Sequence, residues 1–356
     1  MNSKDYLIVG QGIAGTCLAI RLLRAGKKIT IIDDSSLSCT SRVAAGFMHP
    51  ITGRRIVKTW MADVIFPIAE EFYRSLESES GEKYYHSMDS LEMVGDIKTA
   101  NEWSRRSDEL PMYVSPFSKE NPDYLQPTKA IYKVKGGGWL DLPTLLNHYR
   151  NVWTEKGIFI DQRMDESSIH LRDGAIEWNG ERFKKVVFCQ GIHARQTDFW
   201  KHLPFDPAKG ELLTVSIPEL PQTEILVNGL FLIPIGADQF RVGSTYSWHE
   251  LTDKTTEKAR EQLELKIRKT VVPLFKTIGQ QAGVRPAVKD RRPLLGQHPD
   301  RRGCYIFNGL GSKGSSLAPW LSSCLLEHME NGTPLPEETE ISRFDNRSHL
   351  HSTVNS

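Results

Sequence analysis

The hydrophobic pattern of the first part of the chain changes period twice. Residues 6–9 (Tyr-Leu-Ile-Val) form a short unbroken apolar run, the mark of a strand buried on both faces. The stretch Gly10-Gln11-Gly12-Ile13-Ala14-Gly15 follows. Leu18, Leu22 and Leu23 then recur at helical spacing, and Gly26 supplies a stop. Residues 28–33 (Lys-Ile-Thr-Ile-Ile-Asp) alternate into a second strand. Strand, helix and strand within about thirty residues predict a parallel α/β unit covered on both faces.

Further along, residues 35–59 are polar and glycine-containing, and 62–77 are helical in pattern. Residues 81–135 are rich in Tyr, Pro and short alternating runs such as Leu91-Glu92-Met93-Val94, which predicts a second, strand-rich domain. Gly136-Gly137-Gly138-Trp139 breaks the chain, and Asp141 is placed to cap a helix running through Trp153. Ile158-Phe159-Ile160 and Val186-Val187-Phe188 read as strands returning to the first sheet. Short strands are expected at 212–217, 231–235 and 240–243, and a charged helix at 255–270. Residues 303–310 read as a strand entering a glycine turn, followed by a helix over 316–329. The polar, proline-bearing tail from Gly332 is expected to be loosely held. The expected class is α/β (α+β overall). A discontinuous Rossmann-like domain (1–80, 136–208 and 280–332) carries an inserted, mostly antiparallel β-sheet domain (81–135 and 209–279), and 333–356 form the tail.

Composition narrows the function. A chain of 356 residues exceeds one ordinary core, so about two domains are expected. Hydrophobic content of 39%, charged content of 25% and a net charge of +1 describe a globular protein without the field that attracts nucleic acid or an acidic membrane. The five cysteines make no CxxC pair, which argues against a disulfide framework and a zinc site, so no metal is expected. The N-terminal sequence does not read as a signal peptide, and no apolar run approaches the ~20 residues of a membrane helix. A cytoplasmic location is the expectation; whether the protein is a homo-oligomer stays open.

The glycines have separate tasks in a dinucleotide fingerprint. Gly10 permits the turn off the strand, Gly12 lets backbone approach a pyrophosphate, and Gly15 lets helix and strand pack closely. Ile13 and Ala14 open the helix whose amides and dipole face the phosphates. Asp33 ends the second strand, with Asp34 beside it, where a carboxylate accepts from ribose hydroxyls and repels a 2′-phosphate. The motif by itself leaves FAD and NAD both open.

Four patches in one order carry a further likeness. They are the fingerprint; Thr40-Ser41-Arg42-Val43-Ala44-Ala45-Gly46-Phe47-Met48-His49-Pro50; Gly137-Gly138-Trp139-Leu140-Asp141 with the strand ending Cys189-Gln190-Gly191; and Gly283-Val284-Arg285-Pro286 with Asp290, Pro293, Gly296, Asn308 and Gly309-Leu310-Gly311-Ser312-Lys313-Gly314. Through them the chain resembles the D-amino-acid oxidase superfamily. It is most similar to the glycine oxidase and sarcosine oxidase branch and to the oxidase module of the bifunctional tRNA wobble-uridine enzyme.

The resemblance implies noncovalent FAD; no cysteine matches the position of covalent attachment. It places Thr40, Ser41 and Arg42 along the pyrophosphate and ribityl chain. Ala44, Ala45, Gly46 and Met48 fall near the flavin ring, and Met164 near adenine. Cys189 and Gly191 would pass under the cofactor. Gly309, Gly311, Ser312, Lys313 and Gly314 would bring a turn and a helix N-terminus to the ring. Arg285 would grip the substrate carboxylate and border the flavin, with His49 and Tyr246 as candidates for lining the site. The implied reaction is oxidation of the C–N bond of an amino acid or N-substituted amino acid by hydride transfer to flavin N5. Oxygen or another acceptor then takes the electrons, and no general base is assigned. The rival readings are oxidation of a carboxymethylaminomethyl group of a tRNA wobble uridine, an NAD-dependent dehydrogenase, and a non-catalytic dinucleotide-binding protein.

Overall fold

A computed structural model of the chain describes residues 3–52, 56–118, 120–172 and 174–345. Contacts divide it into two units, one of Met1–Ser41, Leu146–Pro207 and Arg285–Ser356, the other of Arg42–Leu145 and Ala208–Val284. Residues 42–80 and 136–145, expected with the dinucleotide domain, belong to the second unit by these contacts. The local cause is a three-stranded sheet in which Gly138–Leu140 pairs with Phe47–Met48 on one side and Tyr85–Ser87 on the other.

The sheet of the first unit is built around Lys4–Val9. Ile29–Asp33 pairs with it in parallel on one side, with Phe159–Asp161 beyond, and Glu181–Phe188 pairs in parallel on the other side. Cys304–Asn308 runs parallel to the second half of Glu181–Phe188, while Ala175–Trp178 takes the first half antiparallel. The winding therefore reverses at Lys4–Val9, and carboxyl strand ends at such a reversal form a ligand crevice. Leu7, Val9, Ile32, Phe183, Phe188, Trp200 and Ile306 share one buried apolar cluster. The helix Ile13–Arg24 buries almost its whole circumference. It is fastened to the helix Gly314–Asn331 by Arg21, whose Nε and Nη2 donate to Pro319 O at 3.0 and 2.8 Å.

The second unit holds an eight-stranded sheet. Its order is Lys276–Arg285, Ala208–Ser216, Gln239–Gly243, Phe231–Gly236, Ile225–Val227, Ser90–Val94, Ala130–Val134 and Val114–Ser118. The pairing is mostly antiparallel, with Ile225–Val227 parallel to Ser90–Val94. The helix Glu257–Arg268, capped by Thr256, packs Leu263 and Ile267 into the same cluster as Phe240 and Val242. Among the described residues no helix is long and apolar enough to cross a membrane.

Two local expectations are corrected. The stretch read as strand-rich contains a helix, Ile97–Glu109, which fully buries Trp103 alone, with Ala100 partly buried beside it, and so carries only a thin apolar stripe. Asp96 caps it through Thr99 N at 2.9 Å, and pairs such as Arg106–Glu109 (2.8 Å) support its exposed face. The tail is not loose as far as Asp345. Ile341 is buried, and Arg343 Nε donates to Asp290 Oδ2 at 2.8 Å and Nη2 to Pro293 O at 3.0 Å. Residues 346–356 lie outside the described residues.

A charged cluster locks the far end of the first unit. Glu330 is bonded by Tyr6, Lys27 and Lys185, the last at 3.1 Å. Burial alone would raise the Glu330 carboxyl, but these donors overcome it and hold it at about 2, below its ordinary 4.5. A depressed carboxyl stabilises the fold above its unfolded pKa and loses that contribution as pH falls from about 4.5 through 2. Glu330→Gln is expected to lower stability by about 1 kcal/mol at pH 7 and to flatten the acid limb of the melting curve below pH 4.5. Melting temperature against pH for both proteins checks it; parallel curves would remove the cluster from the acid response.

Candidate active site

In the first unit the fingerprint folds as a tight crossing. Gly10 adopts φ +104°, and its N–H donates to Ile32 O at 2.8 Å. A side chain on Gly15 would put Cβ 1.9 Å from Gly10 O, so helix and strand approach as no other residue allows. The helix Ile13–Arg24 begins with no acidic residue in its first turn and no side-chain cap at Gly12. Ser41 Oγ accepts from Ile13 N at 3.1 Å.

A second helix N-terminus meets it there. A Cβ on Gly314 would lie 2.9 Å from Ile13 Cγ2, so Gly314–Asn331 starts against the first residue of the fingerprint helix. Lys313 sits at its N-cap, with its amine pushed below the ordinary value by burial and then by Arg292. Two positive helix ends and a lysine, without an acid in either first turn, describe an anion cradle.

The strand ends beside this cradle are tied together. Asn308 Nδ2 donates to Gly191 O at 2.8 Å, and Asn308 Oδ1 accepts from Gly309 N at 2.8 Å. Gly311 N donates to Pro286 O at 3.4 Å, which joins the glycine turn to the segment just after Arg285. Arg285 itself ends the strand Lys276–Arg285 and is half-buried. The nearby Asp290 is engaged by Arg343. Cys189 is sealed under the crossing, and burial raises its thiol far above the ordinary value, so its role there is packing.

Asp33 stands at the other end of the crevice. Its Oδ1 accepts from Gln11 N at 3.1 Å, and its Oδ2 pairs with Arg150. Arg150 Nε donates to Gln11 Oε1 at 2.6 Å, and the fully buried Gln11 donates to Leu146 O at 2.8 Å. Each carboxylate oxygen keeps a lone pair able to accept from a further donor such as a ribose hydroxyl. Sequence reasoning missed Gln11 and Arg150. Their partners lie far off in sequence, and no local spacing signals them. Asp34 instead bonds Ser36, and Met164 packs against the apolar cluster.

In the second unit Ala44 O accepts from Arg241 Nη1 at 3.5 Å, and Ala45 shares a cluster with Trp139, Leu212 and Ile233. Gly46 has φ +73°, and a side chain there would strike Leu140 O at 1.9 Å. Met48 is buried in the small sheet. His49 is used up in packing. Its Nε2 lies 2.9 Å from both Ser90 Oγ and Glu92 Oε1, and its Nδ1 faces Ile51 O. Tyr246 is 54% exposed and leans on Trp248. Thr40, Ser41 and Arg42 form a short helical turn, and Ser312 is exposed in the loop before Lys313.

A reversed parallel sheet with a glycine crossing and a positive cradle at its carboxyl edge defines a dinucleotide-binding class. The comparisons with known proteins specify it. Residues 5–327 match the model described as FAD dependent oxidoreductase, and the chain belongs to that family. It is 25% identical over 376 residues to the tRNA 5-methylaminomethyl-2-thiouridine biosynthesis bifunctional protein of Hahella chejuensis, covering 95% of this chain but 58% of that one. The chain thus spans less than two thirds of these bifunctional relatives. Its fold is similar to iminodiacetate oxidase from Chelativorans sp. BNC1 (TM-score 0.78, 20% identity, 94% of this chain and 98% of that one). It is also similar to glycine oxidase from Geobacillus kaustophilus (TM-score 0.76, 18% identity, 92% and 94%).

FAD is the cofactor of the family, and the residues present fit it. The acid-free cradle suits the pyrophosphate, and Asp33 suits a ribose. Gly12→Ala would place Cβ 3.1 Å from the movable Ser41 Oγ, whereas Gly15→Ala meets backbone at 1.9 Å. Gly12→Ala is therefore expected to fold with a melting temperature near wild type and to hold FAD about tenfold more weakly, through loss of about 1.4 kcal/mol of backbone contact. Gly15→Ala is expected to be destabilised by more than about 2 kcal/mol. Thermal melts and FAD titration of the apoprotein read both; reversed effects would overturn this assignment of the glycines.

Proposed function

We propose that the protein oxidises the C–N bond of an amino acid or N-substituted amino acid that carries a free carboxylate. The observation supporting this is Arg285, half-buried at a strand end and tied through Pro286 O to the glycine turn in front of the helix Gly314–Asn331. A guanidinium offers two parallel hydrogen bonds and so fixes a carboxylate in angle as well as place.

FAD, when bound, supplies the two-electron sink. The protein's part is to position: Arg285 holds the acid, so the carbon bearing hydrogen is presented in one orientation. The substrate amine must be neutral when its C–H bond breaks, because its lone pair forms the C=N bond that water later cleaves. No side-chain base is needed for that step, which agrees with a His49 already committed to Ser90 and Glu92. The similar structures named for glycine and for iminodiacetate both act on amines with a free carboxylate.

A second reading is oxidation of a carboxymethylaminomethyl group on a tRNA wobble uridine. The match over 95% of this chain to the bifunctional tRNA protein favours it. It asks for the same chemistry, a secondary amine bearing a carboxymethyl group.

The test is the visible spectrum of purified, FAD-loaded protein before and after anaerobic addition of amino acids and N-methyl amino acids. Bleaching of the flavin band by one of them supports the first reading. Flavin that no amino acid bleaches, but that modified tRNA does, replaces it with the second. Arg285→Ala should lower kcat/KM about a hundredfold, from loss of about 3 kcal/mol of charged hydrogen bonding, chiefly through KM. Unchanged kinetics would take Arg285 out of the site.

A further inference from the structure

Arg150 lies in the helix Leu142–Glu155, which belongs to the first unit from Leu146 onward. Its guanidinium is held on three sides. It pairs with Asp33 Oδ2, its Nε donates to Gln11 Oε1 at 2.6 Å, and it lies over the ring of Phe159, 4.9 Å from the ring centre. Gln11, between Gly10 and Gly12, is fully buried, and its amide donates to Leu146 O at 2.8 Å, one helical turn before Arg150. Its backbone N–H donates to Asp33 Oδ1 at 3.1 Å. The fingerprint loop thus grips both members of the ion pair.

Asp33 depends on that grip more than the acids around it do. It ends its strand in register with Asp161 on the adjacent parallel strand, and Asp34 follows it in sequence. Asp161 is tied by Ser35, whose N and Oγ donate at 2.9 and 2.6 Å, and Asp34 accepts from Ser36 N at 2.9 Å. Ser36 holds the Asp34 carboxyl below its ordinary value against the opposing charge of Asp161, with some help from Arg163. Ser35, and after it Arg150, holds Asp161 below its own ordinary value. Among the described residues no hydroxyl bonds Asp33; its partners are Gln11 N and Arg150. Without the guanidinium, repulsion from Asp161 would turn the Asp33 carboxylate about its one remaining bond.

We infer that Arg150 is a positioning residue for the cofactor: acting through Asp33, it keeps that carboxylate aimed as a fixed acceptor for the adenosine ribose. An acceptor already held in place loses little rotational freedom when the ribose arrives, so the effect is on affinity. It falls on the ADP half of FAD alone. Cofactor retention by this route is independent of which amine is oxidised.

FAD affinity of the full-length apoprotein, read by quenching of flavin fluorescence with ADP as a displacing competitor, tests this. Arg150→Gln is expected to weaken FAD about tenfold, through a ribose acceptor no longer held, and to weaken ADP by the same factor. Arg150→Lys keeps the charge without the fork and should recover part of the loss. In an Asp33→Asn background, Arg150→Gln should change FAD affinity less than about twofold, because the arginine works through the carboxylate. A role confined to docking the helix would instead lower the melting temperature of the apoprotein and persist without Asp33. Unchanged FAD affinity in Arg150→Gln, a loss that ADP does not share, or a loss undiminished in Asp33→Asn overturns the inference. Should Arg150→Gln fail to fold, Arg150→Lys with and without Asp33→Asn carries the same comparison.

Discussion

The approach of the fingerprint helix to the strand beneath it is the contact on which the rest of the first unit depends. Gly15 lies so near Gly10 O that there is no space for a methyl group, and a Cβ on Gly10 would lie 2.5 Å from Cys189 O. Backbone thus meets backbone at the point where the strand order reverses. The consequence is positional. The first amides of the helix emerge at the carboxyl edge of the sheet, while Arg21, two turns on, reaches Pro319 and Ser322 of the last helix. With its middle fastened there and its start against Ile13, the last helix has its N-terminus placed by the first. Widening the crossing by one methyl would move both.

Charge sorts itself along the crevice that results. At one end are two helix starts, each worth about half a positive charge, with Lys313 at the N-cap of the second and no first-turn acid. At the other is Asp33, whose negative charge Arg150 balances; Gln11 orients the carboxylate through its backbone N–H and orients Arg150 through its side chain. The first end demands an anion, and the second demands hydroxyl donors. A molecule with phosphates beside a ribose satisfies both, and a simple inorganic anion satisfies only one. Among the remaining charged groups of this unit, Glu330 and Asp290 are held by cations of the protein, so they are structural.

The sequence made local features legible and long-range ones not. The fingerprint, the strand ending at Asp33, the helix capped by Asp141 and the antiparallel second sheet all follow from short spacings or from periodicity. The helix Ile97–Glu109 did not, because its packing through Ala100 and Trp103 leaves only a thin apolar stripe among charged residues. The tail looked loose because its anchor, Arg343 on Asp290, lies 53 positions away. Arg150 and Arg241 were missed for the same reason. Each is an ordinary surface-type residue until the fold sets it beside Asp33 or Ala44. His49 shows the converse: a histidine next to a flavin-like loop reads as catalytic until its partners Ser90 and Glu92 appear.

This division has a physical origin that bears on function. The cofactor cradle is made mainly from backbone, and backbone geometry requires glycines at fixed local spacing, so the cofactor stays readable in proteins sharing a fifth to a quarter of their residues. The side chains of Thr214, Ile233 and Arg241, on separate strands, share one face of the second unit's large sheet. Those positions sit opposite the packed face that Phe240 and Val242 fill, so they can change without disturbing the core beneath. A fold of this kind can therefore keep its cofactor-binding crossing while the side chains on that sheet face vary.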